Sequence, residues 1–234
     1  MLSDDFLKLW QNGDILLGIW ETVYMTLLSS AVAYLIGLPL GVLLTVTDKD
    51  GIHPITWLNK ILSVIVNIFR SIPFIILMVA FLPVAKFIVG TSLGNAAMVV
   101  MLILAAAPYV ARMVESSLKE VSAGVIEAAQ SMGTSNFKII TKVMVPEAKP
   151  SLIVGAVISM VTILSYSAMA GTIGGGGLGR IAITYGHQRF NDDIIWICVI
   201  LVVIIVQIIQ EVGMYLARRT DRRVPDLHRN RHKK

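Results

Sequence analysis

The apolar residues of this chain fall into stretches close to twenty residues long, the span an α-helix needs to cross a hydrocarbon core about 30 Å thick. That feature constrains the fold more than any other. With 56% of its 234 residues hydrophobic and 15% charged, a water-soluble globule could not cover its surface with polar groups, so lipid is the expected solvent. Hydrocarbon offers the backbone no hydrogen-bond partner, and segments of this length satisfy themselves as helices. A β-barrel would read as short alternating segments instead. The predicted class is an all-α integral membrane protein with five transmembrane helices, at 15–46, 61–89, 96–114, 151–173 and 194–216. These form one unit over 1–217, followed by a basic tail at 218–234.

The first span holds Gly37, Pro39 and Gly41, where a missing amide and missing Cβ atoms predict a kink or close helix packing. Arg70 and Pro73 interrupt the second. A charge at the bilayer centre costs about 3 kcal/mol on insertion scales. The sequence therefore predicts an interfacial amphipathic helix ending near Phe69 and a span proper over 72–89, with Arg70 at one interface and Lys86 snorkelling toward the other. An Arg70 that faces a polar cavity is the alternative. Residues 1–14 carry Asp4, Asp5 and Asp14 against Lys8 and lack the basic start and small-residue cleavage site of a signal peptide. The first span is thus expected to remain in the mature protein.

The net charge of +5 does not point to nucleic acid, because eight of the twenty Lys and Arg residues lie in the last seventeen positions, from Arg218. Basic residues resist translocation across a membrane. With the N-terminus outside, fifteen of them fall in internal segments: Lys49, Lys60, Arg112, Lys119, Lys138, Lys142, Lys149 and the tail. Only Lys8, Lys86, Arg180 and Arg189 are then external. The N-terminus is expected outside and the C-terminus in the cytoplasm, on the opposite sides that an odd number of spans requires.

No catalytic constellation is legible. Gly174, Gly176 and Gly179 match G-x-G-x-x-G, but that spacing holds a dinucleotide only between a strand and a helix N-terminus. Here a membrane span leads in, and the run reads as flexible or closely packed backbone near an outer mouth. The phosphate loop G-x-x-x-x-G-K-[ST] does not occur, so any energy must come from a partner. His53, His187, His228 and His232 fall on three segments across both sides of the membrane and do not share a metal site. Cys198, the single cysteine, sits in an apolar run where packing is its default role. No cofactor and no metal are expected.

Residues 112–149, between the third and fourth spans, are too long and too patterned for a plain connector. Ser122 to Met132 reads as a short helix with Val125, Ile126 and Ala129 on one side and Glu127 and Gln130 exposed. Gly133 provides a left-handed stop, Ser135 or Asn136 caps a second helix through Val143, and Pro146 ends it. Such an elbow suits a groove on another protein; a helix pair lying on the membrane surface is the plainer account. Glu127-Ala128-Ala129, with Gly133 and Pro146, resembles the EAA loop of the permease subunits of bacterial ATP-binding-cassette importers. Further segments are similar to the methionine-import permeases among them: Phe69-Arg70-Ser71-Ile72-Pro73-Phe74, Ala107 to Glu115, Ser165 to Met169, and the glycine-rich run to Tyr185-Gly186. The likeness covers roughly 15–217, and the tail from Arg218 departs from it by being longer and more basic.

The resemblance implies a non-catalytic permease that moves methionine, D- or L-, across the bacterial inner membrane by alternating access. It implies a homodimer, since five helices do not readily enclose a gated path alone. Each copy would dock one ATPase subunit through Glu127, Ala128, Ala129, Gly133 and Pro146, and a substrate-binding lipoprotein would deliver the solute. In that family the fourth span lines the path, which makes Ser159, Thr162, Tyr166 and Met169 candidates; by pattern alone they read as helix packing. Another amino acid or small solute of the same importer class is the nearest competing substrate. An ion-coupled secondary transporter would show an internal repeat and a membrane-embedded ionisable residue. Five spans do not halve, and Glu211 lies close to the inner interface.

Overall fold

The computed structural model describes residues 4–221; the tail beyond Asp221, with His228 and His232, lies outside the described residues. A short helix, α1 (Asp4–Gln11), turns at Gly13 into α2 (Asp14–Val46). There follow α3 (Thr56–Ser71), α4 (Phe74–Ala80), α5 (Leu82–Val89), α6 (Asn95–Lys119), α7 (Ala123–Ser131), α8 (Asn136–Ile139), α9 (Val145–Glu147), α10 (Lys149–Ala170), α11 (Gly177–Ile181) and α12 (Asp192–Thr220). Turns of π-helix fill Ile140–Met144 and Ala182–His187. The fold is all-α. Four helices, Asp14–Val46, Asn95–Lys119, Lys149–Ile173 and Asp192–Thr220, are long and apolar enough to cross a membrane, and α3 with α4, bent by 103°, makes a fifth if counted as one.

The break expected at Arg70 and Pro73 is present, with α3 ending at Ser71, but the stretch expected as one span over 72–89 is two short helices, α4 and α5. Ile72 is extended ahead of Pro73, as a proline demands of its predecessor, and a second break falls at Phe81. α2, by contrast, runs unbroken through Pro39. Its glycines serve close packing: a Cβ on Gly37 would lie 2.7 Å from Val110 Cγ1, and one on Gly41 would lie 2.6 Å from the Ala111 carbonyl oxygen. Small residues of this kind let helix backbones approach where lipid provides no hydrophobic drive.

α6 is the centre of the bundle, with 61% of its apolar window buried, against 11% for α12. α2 packs along it, α10 lies against both, α3 crosses it, and α12 rests mainly on α10. α6 also outruns its expected end at 114. Arg112, Glu115 and Lys119 pair along one face at i, i+3 and i, i+4 spacing and carry the helix to Lys119. α12 likewise continues past 217, so Arg218 and Arg219 form its last turn, where positive charge complements the helix dipole. One end of the bundle bears α7 to α9, and the other bears α1, α11 and the glycine-rich run.

Candidate functional site

At the first end, α7 and α8 form an elbow. Gly133 takes φ +71°, its amide donates to the Gln130 carbonyl, and the Thr134 amide donates to that of Ala129. This paired closure is the Schellman ending of a helix. Ala129, Ile139 and Met144 sink into the same core cluster as Val114 and Leu118 of α6. The elbow is thereby fixed to the central helix. Pro146 does not end the second arm: a π-helical turn precedes it, and helix continues to Glu147 before the break at Ala148. The missing proline amide falls at the seam between the two helical registers.

Of the residues singled out from the sequence, the structure brings Glu127, Ala128, Ala129 and Gly133 together on this elbow, with Pro146 at the foot of its second arm. Ala129 is buried, whereas Ala128 and Glu127 are exposed. Glu127 and Gln130 line a cavity of about 450 Å³ between the elbow and the ends of α2 and α6, shared with Asp48 and Lys119. The outward face is apolar. Val125 is 45% exposed where the sequence suggested an inward position, and Met132 and Phe137 are 77% and 75% exposed. Val125, Ala128 and Met132 share one helix face by i, i+3, i+7 spacing. The sequence reading missed this stripe because a helix of nine residues carries too few apolar positions to fix its buried side.

Beside the cavity, buried Glu115 joins three elements. It pairs with Arg112, whose guanidinium donates to Asn67 Oδ1 of α3 at 3.0 Å. It also pairs with Lys119 at 2.9 Å, and Lys119 reaches Asp48, just past α2, at 2.6 Å. The hydrogen bond from Lys119 holds the Asp48 carboxyl below its ordinary pKa, partial burial opposing it.

The path candidates on α10 do not share one environment. Ser159 is fully buried and donates to the Gly155 carbonyl, while Met169 is 48% exposed. Thr162 is half-buried and donates to the Ile158 carbonyl. Tyr166 stacks on Phe74 with ring centroids 4.4 Å apart and lines a second cavity, of about 250 Å³, together with Arg70 and Tyr109.

At the other end the glycine-rich run is a clamp. Glu21 accepts from Asn95 Nδ2 and from the Gly177 amide, both at 2.7 Å, while Asn95 Oδ1 accepts from the Gly176 amide at 2.7 Å. Thr22 Oγ1 accepts from the Leu178 amide at 2.9 Å. The run thus ties α2 to the start of α6. A Cβ on Gly176 would strike Glu21 and Asn95. Nothing in the apolar stretch around Glu21 signalled this role.

Residues 37–225 match the family model described as binding-protein-dependent transport system inner membrane component. The chain is 49% identical over 213 residues to the probable D-methionine transport system permease protein MetI of Vibrio cholerae, covering 91% of this chain and 95% of that one. It is 42% identical over 219 residues to the methionine import system permease protein MetP of Bacillus subtilis, covering 94% and 96%. Among solved structures it is similar to a chain of the MetNI methionine ABC transporter in inward-facing conformations, with a TM-score of 0.89, 43% identity, and coverage of 94% of this chain and 100% of that one.

Proposed function

The chain belongs to the family of binding-protein-dependent transport system inner membrane components, and on that premise we propose that it is the permease subunit of an ATP-driven methionine importer. It moves D- or L-methionine inward by alternating access and leaves ATP hydrolysis to a partner. The observation that carries this reading is the elbow: an exposed apolar stripe of Val125, Met132 and Phe137 on a support anchored in the core by Ala129, Ile139 and Met144. An exposed patch of this kind fits a protein interface, and its anchoring suits it to pass a partner's push to α6 and α10. Two ATPase subunits, closing on ATP, would turn two copies of this chain as rigid bodies about a two-fold axis. The elbow is cytoplasmic in this reading. The glycine-rich end faces outside, where a substrate-binding lipoprotein docks. Methionine as the solute is supported by the likeness to the permeases of Vibrio cholerae and Bacillus subtilis.

Two substitutions test the coupling role. Glu127→Lys reverses a charge on the elbow. Gly133→Asp adds one at its corner, where a Cβ has nothing within 4 Å and the left-handed backbone costs about 1 kcal/mol. Both variants are expected to insert normally and to lose most ATP-driven methionine uptake in vesicles of the reconstituted complex. Undiminished uptake rejects the docking role, and a wild-type complex that imports a different solute rejects methionine.

A further inference from the structure

Arg70 is an exposed charge in the last turn of α3. It closes α3 and lines a cavity of about 250 Å³ whose other walls include Ala105 and Tyr109, near the middle of α6. Within a bilayer a guanidinium costs about 3 kcal/mol to insert unless it faces water or a partner, and a half-open cavity provides such a face. Among the described residues Arg70 forms no ion pair, and the hydroxyls of Tyr109 and Tyr166 donate no hydrogen bond. Arg70 and the two tyrosine hydroxyls, that of Tyr109 within electrostatic reach of Tyr34, therefore converge on one half-enclosed space, and the remaining wall is apolar: Phe69, Phe74 stacked on Tyr166, Ile72, Leu77 and Ala105. Arg70 thus lines a cavity, the alternative to an interfacial position that its sequence allowed.

We infer that this cavity is a resting place for the transported amino acid inside the membrane, with Arg70 receiving the α-carboxylate. Resting on the methionine reading above, the inference adds the chemistry of passage. A planar guanidinium fork matches a carboxylate through two parallel hydrogen bonds, and the tyrosine hydroxyls supply further donors. Aromatic rings favour a thioether at their edges and an ammonium over their faces. No acidic side chain lines the cavity, so the ammonium has no fixed counter-charge. The site accordingly reads the carboxylate and the apolar side chain and leaves the configuration at the α-carbon loosely read.

The test uses the complete importer in proteoliposomes. Ala105→Cys in a Cys198→Ser background places one thiol in the cavity wall, open to the small neutral reagent methyl methanethiosulfonate. Saturating methionine is expected to slow its modification about tenfold, the range of one charge-assisted contact, while methioninol, which lacks the carboxylate, gives no protection. Adding Arg70→Gln abolishes protection and lowers uptake at saturating substrate by about tenfold; Arg70→Lys keeps part of both. Since Arg70 has no partner within the chain, these losses do not come from a broken internal bond. Methionine that is imported without protecting the thiol overturns the inference, as does equal protection by methioninol. Protection that follows the anionic lipid content and ignores methionine assigns Arg70 to a lipid phosphate and overturns it too. A wild-type complex that imports no methionine fails the substrate reading separately, and protection by whichever amino acid it does import then decides the cavity.

Discussion

Gly179 and Gly124 differ in what a methyl group would meet. On Gly179 it would enter the backbone of Ala168, its Cβ lying 2.6 Å from the Ala168 Cα. Backbone does not yield as a side chain end does, so α11 would have to lift off α10. Overpacking of this kind costs about 1–3 kcal/mol, and Gly179→Ala is expected to lower the thermal midpoint of the purified protein by about 2–12 °C, at about 2–4 °C per kcal/mol for a chain of this size. Gly124, within α7, has only Ser122 Oγ nearby, at 3.8 Å. There Gly124→Ala gains helix propensity, worth up to about 1 kcal/mol, and leaves the midpoint unchanged or raised. Equal midpoints for the two variants would mean that α11 is not seated on α10 in solution.

The links between elements are the part that the sequence conveyed least. The elbow was legible because its chemistry is local: Gly133 ends one helix and Ser135 begins the next within a few residues. Glu21 was not, since its partners lie 74 and 156 positions away, and a lone carboxylate near a span end reads as a flank. The same limit hid the course of 61–89, where Pro73 announced a break and its 103° bend had no local sign. Ser159 and Met169 illustrate it again, since a stripe of small and polar residues fixes neither which neighbour it meets nor how deeply it lies. At the elbow end, the Arg112–Glu115–Lys119–Asp48 chain binds α3, α6 and the exit of α2 into one unit. Asp48 is the member with a pH signature. Its pKa is depressed in the folded protein, so its stabilisation is complete above the unfolded value of about 4 and is lost as pH falls through the lower folded value. Acid titration of thermal stability below about pH 4 is expected to show a steeper decline in the wild type than in Asp48→Asn, with the two curves converging at the acid end. Parallel curves would mean that the Lys119 contact does not persist.

At the scale of the molecule, burial is graded from α6 outward, and α12 is the outermost span, with 11% of its apolar window buried. Ile194 and Cys198 anchor its start against α11, and Gly213 meets Val157 near its end. Between these anchors Ile200, Val203, Ile204 and Ile208 are all about half exposed. A face this apolar has to be covered, and on a helix long and apolar enough to cross a membrane, lipid is the cover that requires nothing further. Charge substitutions along it are then expected to follow depth. Ile204→Lys, near the middle of the helix, carries a cost of about 3 kcal/mol and should sharply reduce the membrane-inserted fraction. Leu216→Lys, one turn from the end, lets the long side chain snorkel to water and should insert almost as well as the wild type. Ile204→Phe separates lipid from a second copy of the chain: lipid tolerates the larger apolar ring, whereas a packed interface does not. Normal insertion of Ile204→Lys, or loss of the oligomer on size exclusion with Ile204→Phe, would move α12 from the lipid boundary to a protein contact.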